Sequence, residues 1–396
     1  MPPLTFRKGL NLKHEVAQAL TDSYHSDVVA RIKSAEFRHE TGRLILHLAR
    51  EFGFCYGVDR AVDYAYQTRR RFPDRQVFLT GEIIHNPHVN DQMRALGVRF
   101  LTDAHESVDA LGSDDVVILP AFGVTIEMLE TFDRRGCTMV DTTCGSVLNV
   151  WKNVRKYAEE GFTAVIHGKY WHEETQATAS QAFHAGHGHY VVVLDRDEAA
   201  VVCDFIRHGG DPAALLTRFD AAVSPGFDPD RDLQRIGCAN QTTMLSSESL
   251  EIGEMFRAAV STRYGEIELP QRFRAFDTIC SATQDRQDAV NALLTEQTLD
   301  LMIVIGGYNS SNTCNLARIC ATRLPTYHVA EPACLLSTTE IRHKPLGAKH
   351  EAVSQGWLPA SGPVRVGLTS GASTPDNLVG AAIHRLDALI NSETGS

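Results

Sequence analysis

The fold is decided by the stretch Leu44-Ile-Leu-His-Leu-Ala-Arg-Glu-Phe-Gly-Phe-Cys55-Tyr-Gly-Val-Asp-Arg-Ala-Val62, in which an apolar run is followed by a cysteine and then by a helical pattern. Cys144 and Cys280 have the same placement, after Met139-Val-Asp-Thr-Thr and Phe276-Asp-Thr-Ile. The start of a helix stabilises negative charge and therefore a thiolate. Because thiolates bind soft metals and iron–sulfur clusters, three such units predict one shared metal centre.

Short apolar runs alternate with amphipathic stretches along the chain, which is typical of a parallel α/β architecture. The predicted strands are 44–48, 77–79, 116–119, 139–140, 164–166, 236–238, 301–305 and 364–368, with a less regular run before Cys280. These nine strand–turn–helix units form three sets of three. We therefore predict an N-terminal extension (1–43), three α/β domains (44–137, 138–272 and 273–390, with Cys55, Cys144 and Cys280 respectively) and a tail (391–396).

Composition and charge argue against several classes of protein. The 396 residues carry a net charge of −11, which disfavours nucleic-acid binding. Nine cysteines, an odd number, do not suggest a disulfide framework. No apolar run reaches the ~18 residues of a membrane helix, and the first residues lack a secretion-signal pattern. The sequence therefore predicts a cytoplasmic protein that binds neither nucleic acid nor membrane.

The spacing of the three cysteines disfavours a structural zinc site, which usually takes four ligands in short pairs. Cys55, Cys144 and Cys280 are separated by 89 and 136 residues. A cubane cluster held by three thiolates would leave one iron open to a substrate or water. The other six cysteines lack this placement and are predicted to be buried core thiols: Cys137, Cys203, Cys238, Cys314, Cys320 and Cys334.

Two turns near the C-terminus have the composition of an anion site. Asn309-Ser310-Ser311-Asn312 follows a buried strand and precedes a predicted helix, and Ser373 lies in the similar turn Gly371-Ala-Ser-Thr-Pro375. Backbone amides at a helix start bind phosphate, and hydroxyl groups add donors. Serine and asparagine also cap helices routinely, which is the simpler explanation of each turn alone. Two such turns together favour a phosphate or diphosphate ligand.

Further polar residues follow other predicted strands. His85 and His172 begin two turns, where an imidazole can bond a phosphate oxygen or serve only a structural role. Glu174, two residues after His172, is the best candidate for a general acid. Thr242 and Thr243 offer hydroxyl groups for a relay, although helix capping would also explain them.

Eight motifs in order resemble those of the LytB/IspH-type 4-hydroxy-3-methylbut-2-enyl diphosphate reductases, and the resemblance covers nearly the whole chain after residue 43. The motifs are Gly53-Phe-Cys55-Tyr-Gly-Val-Asp-Arg-Ala, Ile84-His85-Asn-Pro, Asp141-Thr-Thr-Cys144, His172-x-Glu174, Gln241-Thr-Thr, Thr278-Ile-Cys280, Asn309-Ser-Ser-Asn312 and Ser370-Gly-Ala-Ser373-Thr-Pro-Asp. Each motif alone is weak evidence, whereas the ordered set is highly specific.

The resemblance implies a trefoil of three pseudo-symmetric α/β domains with small parallel sheets around one [4Fe-4S] cluster per chain. Three ligands, Cys55, Cys144 and Cys280, would hold the cluster and leave one iron open. The implied reaction is reductive dehydroxylation of 4-hydroxy-3-methylbut-2-enyl diphosphate to isopentenyl and dimethylallyl diphosphate, the last step of the non-mevalonate isoprenoid pathway. A ferredoxin or flavodoxin is the implied electron donor, and the chain would be a monomer or homodimer.

The resemblance also implies roles for individual residues. Glu174 would be the proton source, aided by Thr242. The residues placed at the diphosphate are His85, His172, Asn309, Ser310, Ser311, Asn312 and Ser373.

One turn departs from many bacterial members of the family. Those members have an Ala-His-Gly turn where this chain has Ala121-Phe122-Gly123. Plant and cyanobacterial members resemble this chain there, and they share an N-terminal extension and a segment like Trp357-Leu-Pro359. Phe122 is therefore expected to mark a subgroup.

Two other functions are compatible with the residues alone. One is a metal-dependent diphosphate hydrolase, although thiolate ligands reduce the acidity of a metal and disfavour it. The other is a non-catalytic iron–sulfur sensor, which would leave Glu174 and the anion turns without a purpose. Two stretches lie outside the repeat: 207–235 is predicted to be a surface insertion, and 335–363 either packs or forms a lid or partner surface.

Overall fold

The computed structural model describes residues 4–184, 186–276 and 278–391. Of the predicted tail, only Asn391 is among them. The strands are β1 (Thr5–Phe6), β2 (Arg38–Thr41), β3 (Leu44–Leu48), β4 (Val77–Leu79), β5 (Val98–Phe100), β6 (Val116–Leu119), β7 (Thr138–Asp141), β8 (Thr163–His167), β9 (Tyr190–Val193), β10 (Ile236–Asn240), β11 (Phe273–Ala275), β12 (Leu301–Ile305), β13 (Thr326–Val329), β14 (Glu340–His343), β15 (Ala352–Gln355) and β16 (Val364–Ser370).

The α-helices alternate with these strands, as the sequence predicts. They are α1 (Lys13–Tyr24), α2 (Asp27–Ser34), α3 (Tyr56–Arg71), α4 (Pro87–Ala95), α5 (Ile126–Arg134), α6 (Gly145–Glu159), α7 (Glu173–Ala182), α8 (Arg196–His208), α9 (Pro212–Arg218), α10 (Pro229–Asp232), α11 (Ser246–Tyr264), α12 (Leu269–Arg272), α13 (Ser281–Glu296), α14 (Ser311–Ala321) and α15 (Asp376–Asn391). Among the described residues, none of these helices has both the length and the apolar character needed to cross a bilayer.

The chain divides into two compact units. Unit 1 comprises the residues up to Arg7, Arg75–Gly81 and Phe100–Cys280. It contains one parallel sheet with the strand order β1-β7-β6-β4 and a second with the order β11-β10-β8-β9. All four residues of β6 and all five of β8 and β10 are buried, because helices cover both faces of such sheets.

Unit 2 comprises Lys8–Asp74, Glu82–Arg99 and the residues from Ser281 onward. Its main sheet has the order β13-β12-β16-β3-β2, parallel except for the edge strand β2. The antiparallel pair β14–β15 lies in the predicted irregular segment 335–363. Leu335, Ile341 and Trp357 of that segment belong to the buried core of unit 2, so at least part of the segment packs.

The predicted α/β class with small parallel sheets is confirmed, and three of the sheets repeat one strand order. In each sheet, a central strand that ends in a polar turn has the strand leading to a cysteine as one neighbour. These neighbours are β3 beside β16, β7 beside β6, and β11 beside β10. The other neighbours of the central strands are β12 beside β16, β4 beside β6, and β8 beside β10. The sheets therefore share the same pattern of parallel neighbours, which accounts for the predicted pseudo-symmetry.

This strand order corrects the predicted grouping of the nine strand–turn–helix units into three sets of three. Each cysteine strand pairs with strands of the preceding set, so that β7 joins β4 and β6, β11 joins β8 and β10, and β3 joins β12 and β16. Parallel strands are linked by crossovers, so periodicity identifies a strand without identifying its neighbours. The domain boundaries at 44–137, 138–272 and 273–390 remain predictions.

The predicted extension 1–43 is not wholly outside the repeat. Its strand β1 pairs with β7 in unit 1, and its strand β2 pairs with β3 in unit 2. The predicted insertion 207–235 likewise contributes Leu215, Phe219 and Phe227 to the buried core of unit 1.

Candidate functional site

The three cysteines occupy equivalent positions beside a neighbouring strand. Each backbone N–H donates to the carbonyl of the residue two beyond the end of that strand. The pairs are Cys55 with Ala372 after β16 (3.1 Å), Cys144 with Ala121 after β6 (2.8 Å) and Cys280 with Thr242 after β10 (3.2 Å). A residue so placed lies at the carboxyl edge of a parallel sheet, where α/β proteins bind their ligands.

The Asp-Thr-x-Cys motif has a structural reason. Thr142 donates its hydroxyl to the carbonyl of Leu119, the last residue of β6, at 2.6 Å. Thr278 donates in the same way to Asn240, the last residue of β10, at 3.0 Å. Each threonine therefore fixes the segment that ends in a cysteine against the neighbouring strand.

None of these three cysteines forms a disulfide bond, each is partly exposed, and each immediately precedes a helix. Cys55 and Cys144 have extended backbone conformations as the N-caps of α3 and α6, and Cys280 directly precedes α13. Backbone N–H groups at a helix start stabilise anionic sulfur. The donor set thus has the softness and accessibility that an iron–sulfur cluster requires.

Five of the other cysteines are buried, as predicted: Cys137, Cys203, Cys238, Cys320 and Cys334. Burial raises the pKa of Cys203 and of Cys320 to about 12, which keeps these thiols protonated and poor as metal ligands. Cys314 differs from the prediction because it is partly exposed on α14, where its thiol lies 3.4 Å from the carbonyl oxygen of Tyr308.

In unit 1, the predicted acid Glu174 is only 3% exposed and lies in the first turn of α7. Its Oε1 accepts the backbone N–H of Thr242 at 2.6 Å. Since the Thr242 carbonyl accepts from Cys280, one peptide segment connects the predicted acid with a predicted metal ligand. The structure thus brings Glu174, Thr242 and Cys280 together.

His172 is buried and caps α7, and its Nδ1 accepts the backbone N–H of Glu174 at 3.1 Å. An imidazole nitrogen that accepts a hydrogen bond carries no hydrogen, so the neutral ring bears its hydrogen on Nε2. His172 can therefore donate to a phosphate oxygen through Nε2 without being protonated.

Phe122 packs its ring edge-on against His172, with the centroids 6.0 Å apart and the planes at 72°. The next residue, Gly123, has φ +77°, and a side chain there would overlap the ring of Trp151. The turn at Phe122 is therefore fixed by packing, and the Phe122 ring contacts a predicted substrate-binding histidine.

Gln241 is a residue whose role the sequence did not reveal. Its side-chain oxygen accepts the backbone N–H of Lys169 at 3.1 Å and the hydroxyl of Thr175 at 3.2 Å. Its nitrogen donates to the Thr243 hydroxyl at 3.0 Å. Gln241 thus joins the turn before α7 to the turn after β10, which holds Glu174 and Thr242 in register.

In unit 2, the two predicted anion turns meet. Ser310 caps α14, and its Oγ lies 3.5 Å from Oγ of Ser373. Ser373 donates to the carbonyl of His85 at 3.2 Å. Asn312 accepts the backbone N–H of Ala372 at 2.9 Å, and Ser311 is buried in the first turn of α14. These predicted diphosphate ligands form one cluster at the edge of the sheet.

The same cluster is connected to Cys55. The Ala372 carbonyl accepts from Cys55, while its N–H donates to Asn312. Gly53, at φ +80°, donates its N–H to the Ser370 hydroxyl at 3.0 Å, and its carbonyl accepts from Arg286 at 2.8 Å. Arg286 is buried and was not predicted, because its contact joins positions 233 residues apart.

Comparison with known proteins identifies the family. The family model of the LytB protein matches residues 46–387. The chain belongs to the LytB family. It is 46% identical over 393 residues to the 4-hydroxy-3-methylbut-2-enyl diphosphate reductase of Thermosynechococcus vestitus, with 98% of this chain and 96% of that protein covered. This cyanobacterial relative agrees with the subgroup predicted from the Phe122 turn.

Two solved structures have a similar fold. One is that of (E)-4-hydroxy-3-methyl-but-2-enyl diphosphate reductase, the terminal enzyme of the non-mevalonate pathway. It is 27% identical with a TM-score of 0.53, covering 86% of this chain and 98% of that one. The E-1-hydroxy-2-methyl-but-2-enyl-4-diphosphate reductase of Plasmodium falciparum is 20% identical with a TM-score of 0.62, covering 86% of each chain, and shows the shared fold.

The predicted site residues are divided between the two units. Within unit 1 lie Cys144, Cys280, His172, Glu174 and Thr242. Within unit 2 lie Cys55, His85, Ser373 and the turn 309–312. Each unit therefore contains at least one predicted cluster ligand and part of the predicted substrate-binding set.

Proposed function

We propose that this LytB-family chain catalyses the reductive dehydroxylation of 4-hydroxy-3-methylbut-2-enyl diphosphate to isopentenyl and dimethylallyl diphosphate. The observation that carries the proposal is the equivalence of the three cysteine turns, each bonded to the carbonyl two residues beyond a neighbouring strand. The reductases among its relatives support the assignment of substrate and reaction.

We further propose that Cys55, Cys144 and Cys280 hold one [4Fe-4S] cluster with one open iron. Their residue type, partial exposure and positions at helix starts fit such a group, and LytB proteins depend on iron–sulfur chemistry. When bound, the cluster supplies the electrons for reduction and a coordination position for substrate. The buried thiols Cys203, Cys238 and Cys320 are unsuited to the role because burial raises the pKa of each.

Glu174 is the proposed proton donor. Its Oε1 accepts the amide N–H of Thr242, so a transferable proton is carried on the other carboxyl oxygen, Oε2. Burial keeps bulk water from competing for that proton. The Thr242 backbone fixes the position of the carboxyl group, and the Thr242 hydroxyl remains the proposed relay.

The diphosphate is proposed to bind to hydroxyl, amide and imidazole donors rather than to lysine or arginine side chains. The donors are His85, His172, Asn309, Ser310, Ser311, Asn312 and Ser373. With a net charge of −11 on the chain, local donors of this kind are needed to hold an anion. The first turn of α14 adds backbone N–H groups, which favour phosphate.

A small ferredoxin or flavodoxin is the proposed electron donor, and a monomer or homodimer the proposed assembly. The cytoplasm is the proposed location, in keeping with nine cysteines that all lie among the described residues and form no disulfide bond there.

The test is an anaerobic assay with the allylic diphosphate substrate and a reduced electron donor. We expect both five-carbon diphosphates to appear, and only when the reductant is present. A diphosphate hydrolase would instead release phosphate without reductant, and an iron–sulfur sensor would leave the substrate unchanged. Either result would contradict the proposed reaction.

A further inference from the structure

Glu82 makes a contact in unit 2 that the proposed reaction does not explain. Its Oε2 lies 2.7 Å from Nδ1 of His85 and 2.7 Å from Nδ2 of Asn309. Both partners belong to the proposed diphosphate-binding set. One carboxylate oxygen therefore joins two binding residues that are 224 positions apart in the sequence.

A carboxylate beside an anion site is unfavourable unless its charge is balanced. The negative charge of Glu82 is stabilised by hydrogen-bond donors. An ionised carboxylate accepts hydrogen bonds and cannot donate them. Nδ1 of His85 must therefore carry the hydrogen of that contact. The amide nitrogen of Asn309 must likewise point at Glu82, which fixes the orientation of this amide.

The contact fixes the orientation of the His85 ring, because Nδ1 donates to Glu82. The ring nitrogens of His85 and His172 are therefore used in opposite ways. His172, whose Nδ1 accepts a backbone N–H, donates through Nε2 while neutral.

The surroundings hold the pair in place. The His85 side chain is 12% exposed, and its carbonyl accepts from Ser373. A side chain at Gly307 would approach Oδ1 of Asn309 to 3.0 Å and would also meet the His85 backbone, so the turn before α14 packs closely against both partners. The His85 side of the contact is therefore packed, whereas the Asn309 side lies at the exposed edge of the site.

We propose that Glu82 is a positioning residue for the diphosphate, which orients the imidazole ring of His85 and fixes the amide of Asn309. This inference rests on the proposed function. It adds a residue that binds no substrate itself and acts through two that do.

The test measures binding of inorganic diphosphate to the anaerobically purified full chain by calorimetry. Glu82→Gln removes the charge and keeps the size, and we expect about tenfold weaker binding, the size of one hydrogen bond to a charged group. Glu82→Asp keeps the carboxylate and should recover most of the affinity. Asp27→Asn, which removes an exposed carboxylate 3.1 Å from His25 in the same unit, should leave binding unchanged.

A double-mutant cycle separates positioning from general destabilisation. In a His85→Ala background, the Glu82→Gln penalty should fall to about twofold or less, because only the Asn309 contact remains. Turnover at saturating substrate should change less than KM. An undiminished penalty in that background, or equal loss in Glu82→Asp and Glu82→Gln, would overturn the inference.

The failure of this inference is distinguishable from that of the proposed function. Unmodified chain that binds inorganic diphosphate, with Glu82→Gln binding it equally well, would overturn the role of Glu82 alone. Unmodified chain that does not bind inorganic diphosphate would overturn the diphosphate site and the role of Glu82 together.

Discussion

At the scale of single residues, Thr242 contributes through its backbone. Its N–H donates to Glu174 and its carbonyl accepts from Cys280, so a substitution of the side chain leaves both contacts possible. The role of Thr242 in positioning the acid is therefore independent of its proposed role as a hydroxyl relay. Thr242→Val, which keeps the shape and loses the hydroxyl, addresses the relay alone.

Glu174→Gln should abolish most turnover while preserving the fold. Glutamine can still accept the Thr242 N–H through Oε1, so the local geometry is retained, but it cannot deliver a proton. We expect turnover to fall by about 100-fold or more, the usual contribution of a general acid. The measurement is the steady-state rate with a reduced electron donor, at matched iron content.

Glu254→Gln is the matched control for this variant. Glu254 lies on α11 of the same unit, and its side chain is 76% exposed. It should retain nearly full activity. Unimpaired turnover in Glu174→Gln would show that another group delivers the proton.

His328 should make stability depend on pH. Burial lowers the pKa of His328 to about 4, and its Nε2–H donates to the carbonyl of Gly306 at 3.0 Å. The unfolded ring titrates near 6.5, so this stabilisation is complete above about pH 6.5 and is lost as the pH falls towards 4. The loss is about 3 kcal/mol at most.

The measurement for His328 is the urea midpoint of His328→Gln and of the unmodified chain at pH 7.5 and pH 5. Glutamine keeps an N–H donor and does not titrate, so its midpoint should fall less over this range. Other histidines contribute equally to both proteins, and the difference between them isolates His328. Parallel losses in the two proteins would contradict the assignment.

Residues in continuous motifs could be predicted from the sequence, whereas residues defined by distant partners could not. His172 and Glu174 are two positions apart, so their proximity follows from the chain itself. Glu82 and Arg286 acquire their roles from contacts with Asn309 and Gly53, which are 227 and 233 residues away. No local pattern contains that information.

At the scale of elements, apolar runs predicted the positions of the strands more reliably than they predicted which strands pair with each other. Four predicted strands have the observed bounds: β3, β4, β6 and β12. Each is a continuous apolar run or an alternating pattern bounded by polar residues. The pairing of β3 with β16 was missed, because strands more than 300 residues apart are joined only by tertiary packing.

Gly123→Ala and Gly253→Ala should change stability in opposite directions. Gly123 has φ +77°, and an added methyl group would overlap Trp151, so we expect destabilisation by about 2 kcal/mol or more. Gly253 lies within α11, and an added methyl group would meet nothing within 4 Å. Alanine there should stabilise the chain by about 0.5–1 kcal/mol.

Thermal unfolding of both glycine variants at matched cluster content provides the measurement. A lower midpoint for Gly123→Ala and a higher one for Gly253→Ala are expected. If Gly123→Ala unfolds at the temperature of the unmodified chain, the Phe122 turn is not held by packing against Trp151.

At the scale of the whole molecule, the repeat of three cysteine turns is the feature on which the proposed iron–sulfur site depends. The predicted pseudo-symmetry rests on sheets with the same neighbours, and each sheet presents one cysteine at its carboxyl edge. Sequence alone identified these cysteines because each follows a strand and precedes a helix. It could not show that their backbone contacts are equivalent, since these depend on the strand order.

The three cysteines should be individually necessary for the cluster. Cys55→Ser, Cys144→Ser and Cys280→Ser should each lose most of the iron and the visible absorption of the purified chain. Cys203→Ala is the matched control, because Cys203 is buried in the core of unit 1 and burial keeps its thiol protonated. Equal iron in the control and a serine variant would remove that cysteine from the proposed ligand set.

The most direct measurement is the content of iron and acid-labile sulfide per chain after anaerobic purification, together with the visible spectrum. A [4Fe-4S] cluster requires about four iron and about four sulfide per chain. We expect near-equal amounts approaching that value. Zinc in place of iron, or no metal after anaerobic reconstitution, would show that Cys55, Cys144 and Cys280 do not hold an iron–sulfur cluster.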